Sequence, residues 1–147
     1  MEEQGIYLLN QNSSLPEIEK QRVRNALRKQ TELLINPDGT SLPGQMSAYW
    51  KDLSTYDQAS MARQIKRPML FLQGKRDFQV QPHHLELWKK ALHGLPHCSF
   101  ILYDDLNHLM QPGKGMPNMA EYAIPSKVPA KLADDIASFL RQTEHAN

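Results

Sequence analysis

Asp77 and His108 stand in two loops of this 147-residue chain, each loop following a short apolar run. An aspartate beside a histidine can fix the imidazole tautomer and stabilise its protonated form, which is how a histidine is made ready to accept and return a proton. The first loop reads Gly74-Lys-Arg-Asp77-Phe-Gln-Val80, the second Asp104-Asp-Leu-Asn-His108-Leu-Met110. Taken singly, Asp77 reads equally as a turn or capping residue, and His108 as a hydrogen-bonded loop histidine. In matching loops the two make a candidate site.

Other residues carry less. His83 and His84 are adjacent, so on a helix they point about 100° apart and do not readily chelate one ion. With His93 and His97 they read as surface residues, and no metal site is expected. A single cysteine, Cys98, has no partner for an internal disulfide and lacks zinc co-ligands. It fits a reducing, cytoplasmic setting. Asp104 and Asp105 precede the histidine closely and read as solvating their loop. Tyr49 and Trp50 are candidates for lining a substrate pocket, with plain packing as the alternative.

Secondary structure decides where these side chains meet. From Leu15 to about Ile35, Ile18, Val23, Ala26, Leu27 and Leu34 recur at near-helical spacing, predicting an exposed amphipathic helix. Asn36 to Gly44, with two prolines and two glycines, breaks it. Asp57 is placed to cap a short helix ending near Ile65. Beyond it Pro68-Met-Leu-Phe-Leu-Gln73 reads as a strand buried on both faces, closed by Gly74. A helix opens at Pro82, carries Leu85, Trp88 and Leu92 on one face, and stops at Gly94 and Pro96. Ser99 to Tyr103 is a second strand, and Pro129 to Arg141 a last helix with Val128, Leu132, Ile136 and Leu140 spaced by four. Strand, crossover helix and strand predict a right-handed unit with parallel strands, whose ligands lie beyond the carboxyl ends. Both candidate loops leave those ends. The expected organisation is a helical segment and loop over residues 1–56 and an α/β part over 57–147.

Composition excludes other classes. A hydrophobic fraction of 40% with 22% charged residues suits one soluble globular domain. A net charge of +1, with Lys and Arg scattered, speaks against nucleic acid as a partner. No apolar run approaches the roughly 20 residues that span a bilayer, and the start MEEQGIYLLNQN has no secretion signal, so neither membrane nor export is expected.

The runs RPMLFLQGKRDFQV, LWKKAL and FILYDDLNHLM resemble the end of an α/β-hydrolase, in the branch of dienelactone-hydrolase-like and prolyl-oligopeptidase-like serine hydrolases. In that family the strand-Gly-x-x-Asp segment carries the acid of a Ser-Asp/Glu-His triad, and an Asn-His or Gly-His after the last strand carries its base. The resemblance therefore implies Asp77 as acid and His108 as base, with no cofactor. It covers about Tyr49 to Leu140. Earlier residues are similar, less specifically, to a helical lid, and MPNMAEYAIPSKV to a loop of bacterial members. The implied substrate is a small ester, thioester or peptide.

The family's nucleophile lies in Gly-x-Ser-x-Gly, upstream of acid and base, and no such motif occurs here. Cys98 and Ser99 fall at the amino end of the second strand, on the wrong side of the sheet. Ser13 and Ser14 follow no strand. The chain is thus expected to supply acid and base without nucleophile or oxyanion hole, and to be inactive alone. A non-catalytic binding module is the alternative, and a serine half on a separate polypeptide a third reading. The first strand would leave an open sheet edge, through which self-association is expected.

Overall fold

A computed structural model describes residues 2–35 and 44–144. Six α-helices and two strands are present among them, in two compact units, residues 1–58 and 59–147. No helix among the described residues is long and apolar enough to cross a membrane.

The first unit is helical. Its helices are α1 (Glu2–Gln11), α2 (Glu17–Ile35) and α3 (Gly44–Thr55). Helix α2 matches its amphipathic pattern, whereas α1 was not foreseen. The short stretch Ile6 to Leu9 marks no face until it is laid against α2, and α1 gains its stability from that packing. Gly5 permits the approach, since a Cβ there would stand 2.8 Å from Leu27 Cδ1. Arg24 fastens the end of α1 to α2, donating to Glu17 Oε1 at 2.6 Å and to Asn10 Oδ1 at 3.0 Å. The predicted break begins at Asn36, and residues 36–43 lie outside those described.

A short helix, α4 (Gln58–Gln64), leads into the second unit. Strand β1 (Met69–Gly74) follows, then α5 (His83–Ala91), β2 (Cys98–Tyr103), a 3-10 helix (Met119–Ala123) and α6 (Ala130–Glu144). The strands pair in parallel, from Met69 opposite Cys98 to Gly74 opposite Tyr103. Pro82, with φ −55°, precedes the first residue of α5, and Gly94, with φ +81°, turns the chain out of it. Leu85 and Leu92 are buried beneath α5. Phe71 lies between Trp88 and Phe100, with ring centroids 5.2 and 4.9 Å away.

Strand β1 departs from its expected burial. Only Gln73 and Gly74 are buried, and Met69 to Leu72 are half-buried. The cause is the size of the sheet, because β2 is the only strand beside β1 among the described residues.

Beyond β2, α6 is tied back to the sheet by a polar contact. Tyr103, itself buried, donates its hydroxyl to Asp135 Oδ2 at 2.9 Å, and Lys131 Nζ reaches the same oxygen at 2.7 Å. Burial, and then the Asp135 hydrogen bond, push the Tyr103 hydroxyl up to about 12. The Lys131 hydrogen bond, followed by that of Tyr103, holds the Asp135 carboxyl below its usual range. A phenol whose folded pKa exceeds its unfolded value stabilises the fold fully below about pH 10, and that contribution fades as pH rises through about 12. Melting temperature is therefore expected to fall across this alkaline window in the native chain and less steeply in Tyr103→Phe; parallel curves for the two would contradict the assignment.

Candidate active site

The carboxyl ends of β1 and β2 release two loops that are laced together by backbone hydrogen bonds. Lys75 N–H donates to Tyr103 O at 2.8 Å, and Arg76 N–H to Leu106 O at 3.0 Å. Gly74 makes the crossing possible. A Cβ there would collide with the Leu106 carbonyl, its carbon only 2.8 Å away, and would sit 3.0 Å from Asn107 O.

Asp77 is held on every side. Its Oδ1 accepts from the backbone N–H groups of Gln79, at 2.9 Å, and Val80, at 2.8 Å. Its Oδ2 accepts from Gln73 Nε2 at 3.3 Å and meets His108 Nδ1 at 2.9 Å. With a side chain only 5% exposed, the carboxylate depends on these donors in place of water. Three unambiguous N–H donors converge on this carboxylate, and an acceptor-only carboxylate requires Nδ1 of His108 to carry the proton of the fourth contact. The other nitrogen, Nε2, has no partner among the described residues, and 38% of the His108 side chain is exposed.

His108 stands in a tight turn. Leu106 and Pro112 form an antiparallel bridge, Asn107 N–H donates to Gln111 O at 3.0 Å, and Met110 N–H donates to Asn107 O at 2.9 Å. Met110 takes φ 55°, a left-handed conformation that is uncommon outside glycine and here closes the turn. Buried Asn107 braces it from within, its Oδ1 accepting from Leu109 N–H at 3.0 Å and Gln111 N–H at 3.2 Å. A cleft of about 280 Å³ opens beside Asn107, walled by Gln111, Pro112, Lys114, Ile124 and Ser126.

An ion pair between buried Arg76 and half-buried Glu121 completes the surroundings. The Arg76 guanidinium grips both carboxylate oxygens of Glu121 and donates to the carbonyls of Lys114 and Gly115, each at 3.1 Å. Phe78 stacks on Tyr122 at 6.0 Å, and Gln79 Nε2 donates to the Tyr122 hydroxyl at 3.0 Å. The segment after the histidine is thereby tied to the segment around the aspartate.

The remaining candidates fall elsewhere. Tyr49 and Trp50 lie in α3 of the first unit, packed edge-to-face at 5.3 Å, with Tyr49 exposed and Trp50 Nε1 buried without an acceptor among the described residues. The His83 and His84 rings, expected to diverge, lie 4.1 Å apart, because side-chain rotation brings them together despite their divergent Cβ directions. Asp104 is exposed and meets Lys75 at 3.3 Å. Cys98 and Ser99 open β2, at the far end of the strand from His108.

Four residues of the site went unread: Gln73, Arg76, Asn107 and Glu121. Gln73 had a signal, as a polar residue closing an otherwise apolar strand. Glu121 had none, being 45 residues from Arg76.

The sequence is similar to Esterase EstD of Thermotoga maritima, with 37% identity over 116 residues. The match covers 79% of this chain and 28% of the esterase, so the chain spans little more than a quarter of that protein's length. No family model matches the sequence, and no solved structure matches it. A mixed α/β unit with a small parallel sheet, similar to a stretch of an esterase, is compatible with a portion of an α/β-hydrolase.

Gly74→Ala tests the crossing of the two loops. The added methyl is expected to cost about 1–3 kcal/mol of stability and to part His108 from Asp77, read by chemical denaturation and by the imidazole nitrogen NMR shifts. Unchanged stability with unchanged shifts would contradict this account of Gly74.

Proposed function

We propose that this chain is the C-terminal, acid-and-base portion of a serine hydrolase of the esterase kind. The observation that carries the reading is the 2.9 Å contact between His108 Nδ1 and buried Asp77, with Nε2 left open. Similarity to part of an esterase supports it independently. In this reading the serine comes from outside the chain, which contains no Gly-x-Ser-x-Gly.

The chemistry follows from the two nitrogens. As the serine oxygen bonds to the acyl carbonyl carbon, its proton passes to Nε2 of His108. Asp77 keeps Nδ1 protonated and faces the positive charge that develops on the ring. The tetrahedral adduct collapses, the bond to the leaving group breaks, and the Nε2 proton goes to that group. Water then attacks the acyl-serine by the same route, restoring serine and imidazole. Small esters, thioesters and peptides satisfy this scheme, and the oxyanion donors also come from the missing portion, where each is worth about 10²–10³ in rate.

The portion with the serine joins the sheet beside β1, along the side away from β2. Among the described residues β1 has no strand on that side, an edge that would pair with other copies of the chain. Sedimentation velocity is expected to show association that grows with concentration; a monomer at every concentration would contradict an open edge.

The catalytic reading is tested by supplying the missing portion. The chain is joined to the part of the Thermotoga maritima esterase outside the matched stretch, and hydrolysis of p-nitrophenyl esters is followed. Activity is expected only in the joined protein, with Asp77→Asn lowering kcat by about 10⁴ and His108→Ala by about 10⁶. Activity in the joined protein that survives His108→Ala would overturn the proposal.

A further inference from the structure

The residue before the aspartate and the residue before the histidine meet on one carboxylate. Arg76 binds Glu121 through two nitrogens, and Asn107 Nδ2 approaches Glu121 Oε2 at 3.5 Å. Both Arg76 and Asn107 are buried, and the Glu121 side chain is 18% exposed. Glu121 itself sits in the 3-10 helix, whose first turn is capped by Asn118 Oδ1 accepting from Ala120 N–H at 2.9 Å.

The same guanidinium also gathers the returning chain. From the His108 turn the chain passes Gly113, whose N–H donates to Asp105 O at 2.9 Å, and then Lys114 and Gly115, whose carbonyls accept from Arg76. Four donor contacts of the planar fork are thus spent on one segment, a geometry that a lysine ammonium does not reproduce. Gly113 lies so close that a Cβ would stand 2.7 Å from Arg76 Cζ. The two legs of the turn bearing His108 are held by one residue: the Arg76 backbone N–H takes Leu106 O on the way out, and its side chain takes the carbonyls on the way back.

We infer that Glu121, acting through Arg76 and Asn107, is a positioning residue that sets the distance between His108 Nδ1 and Asp77. The inference rests on the proposed acid and base roles only for its catalytic meaning; the geometric claim stands on the isolated chain. A misplacement of about 1 Å at such a pair is enough to cost on the order of 10²-fold in rate.

The test is NMR on the isolated ¹⁵N-labelled chain, where a protected Nδ1 proton on His108 reports the bond to Asp77. Asp77→Asn identifies the signal by removing it. Glu121→Ala is expected to abolish the protected proton while far-UV circular dichroism keeps its native form, and Glu121→Gln to weaken it. Leu92→Ala separates position from stability, because it opens a cavity in the core away from the pair. It is expected to lower the melting temperature by at least as much as Glu121→Ala while keeping the signal. Retention of the proton in both Glu121 variants overturns the inference, as does its loss in Leu92→Ala in proportion to stability. Should Glu121→Ala not fold, Glu121→Gln against Leu92→Ala decides. Failure of the hydrolase reading would show separately, as a joined protein without esterase activity whose His108 signal still depends on Glu121.

Discussion

The absence of a side chain at Gly74 is the constraint on which the rest of the second unit depends. Parallel pairing places Gly74 opposite Tyr103, so both strands end at the same level. The chain leaving β2 must then cross the chain leaving β1, and it does so with the Leu106 and Asn107 backbone against the bare Cα of residue 74. From that crossing follow the hydrogen bond of Arg76 N–H to Leu106 O, the placement of Asp77 under the next turn, and the approach of His108. Any larger residue would lever one loop from the other at the point where the two polar groups must meet.

What surrounds the crossing is polar but well satisfied. Buried Gln73, Arg76, Asp77 and Asn107 would each be costly without partners, and each has them. The Arg76–Glu121 pair illustrates the asymmetry of such sites. Removing Glu121 would leave the buried Arg76 charge uncompensated, which is costly, whereas an intact pair of this kind contributes little net stability. Specific geometry, more than stability, is what the pair supplies here: a fixed path for residues 113–121 and a fixed turn before them.

Much of this arrangement was legible in the sequence, and the illegible parts share a cause. The apolar runs at 69–74 and 98–103 and the face formed by Leu85, Trp88 and Leu92 are local patterns, so both strands and α5 could be placed within a residue or two. The meeting of Asp77 and His108 was legible because each follows a strand end on the same side of a parallel sheet. Glu121 was not, since nothing within its own segment marks it as the partner of a residue 45 positions away. Helix α1 escaped for the same reason, as its apolar residues make a face only once α2 is beside them. The half-buried state of β1 likewise reflects how many strands flank it, which no residue of the strand records.

In the proposed function Asp77 and His108 activate a serine that this chain does not contain. The most direct measurement is labelling with a fluorophosphonate and mapping of the adduct by mass spectrometry, for the chain alone and joined to the remaining part of the Thermotoga maritima esterase. No adduct is expected on the chain alone, and in the joined protein an adduct is expected on a serine of the added part that disappears with His108→Ala. An adduct on any serine of this chain, or labelling of the joined protein that persists without His108, would contradict it.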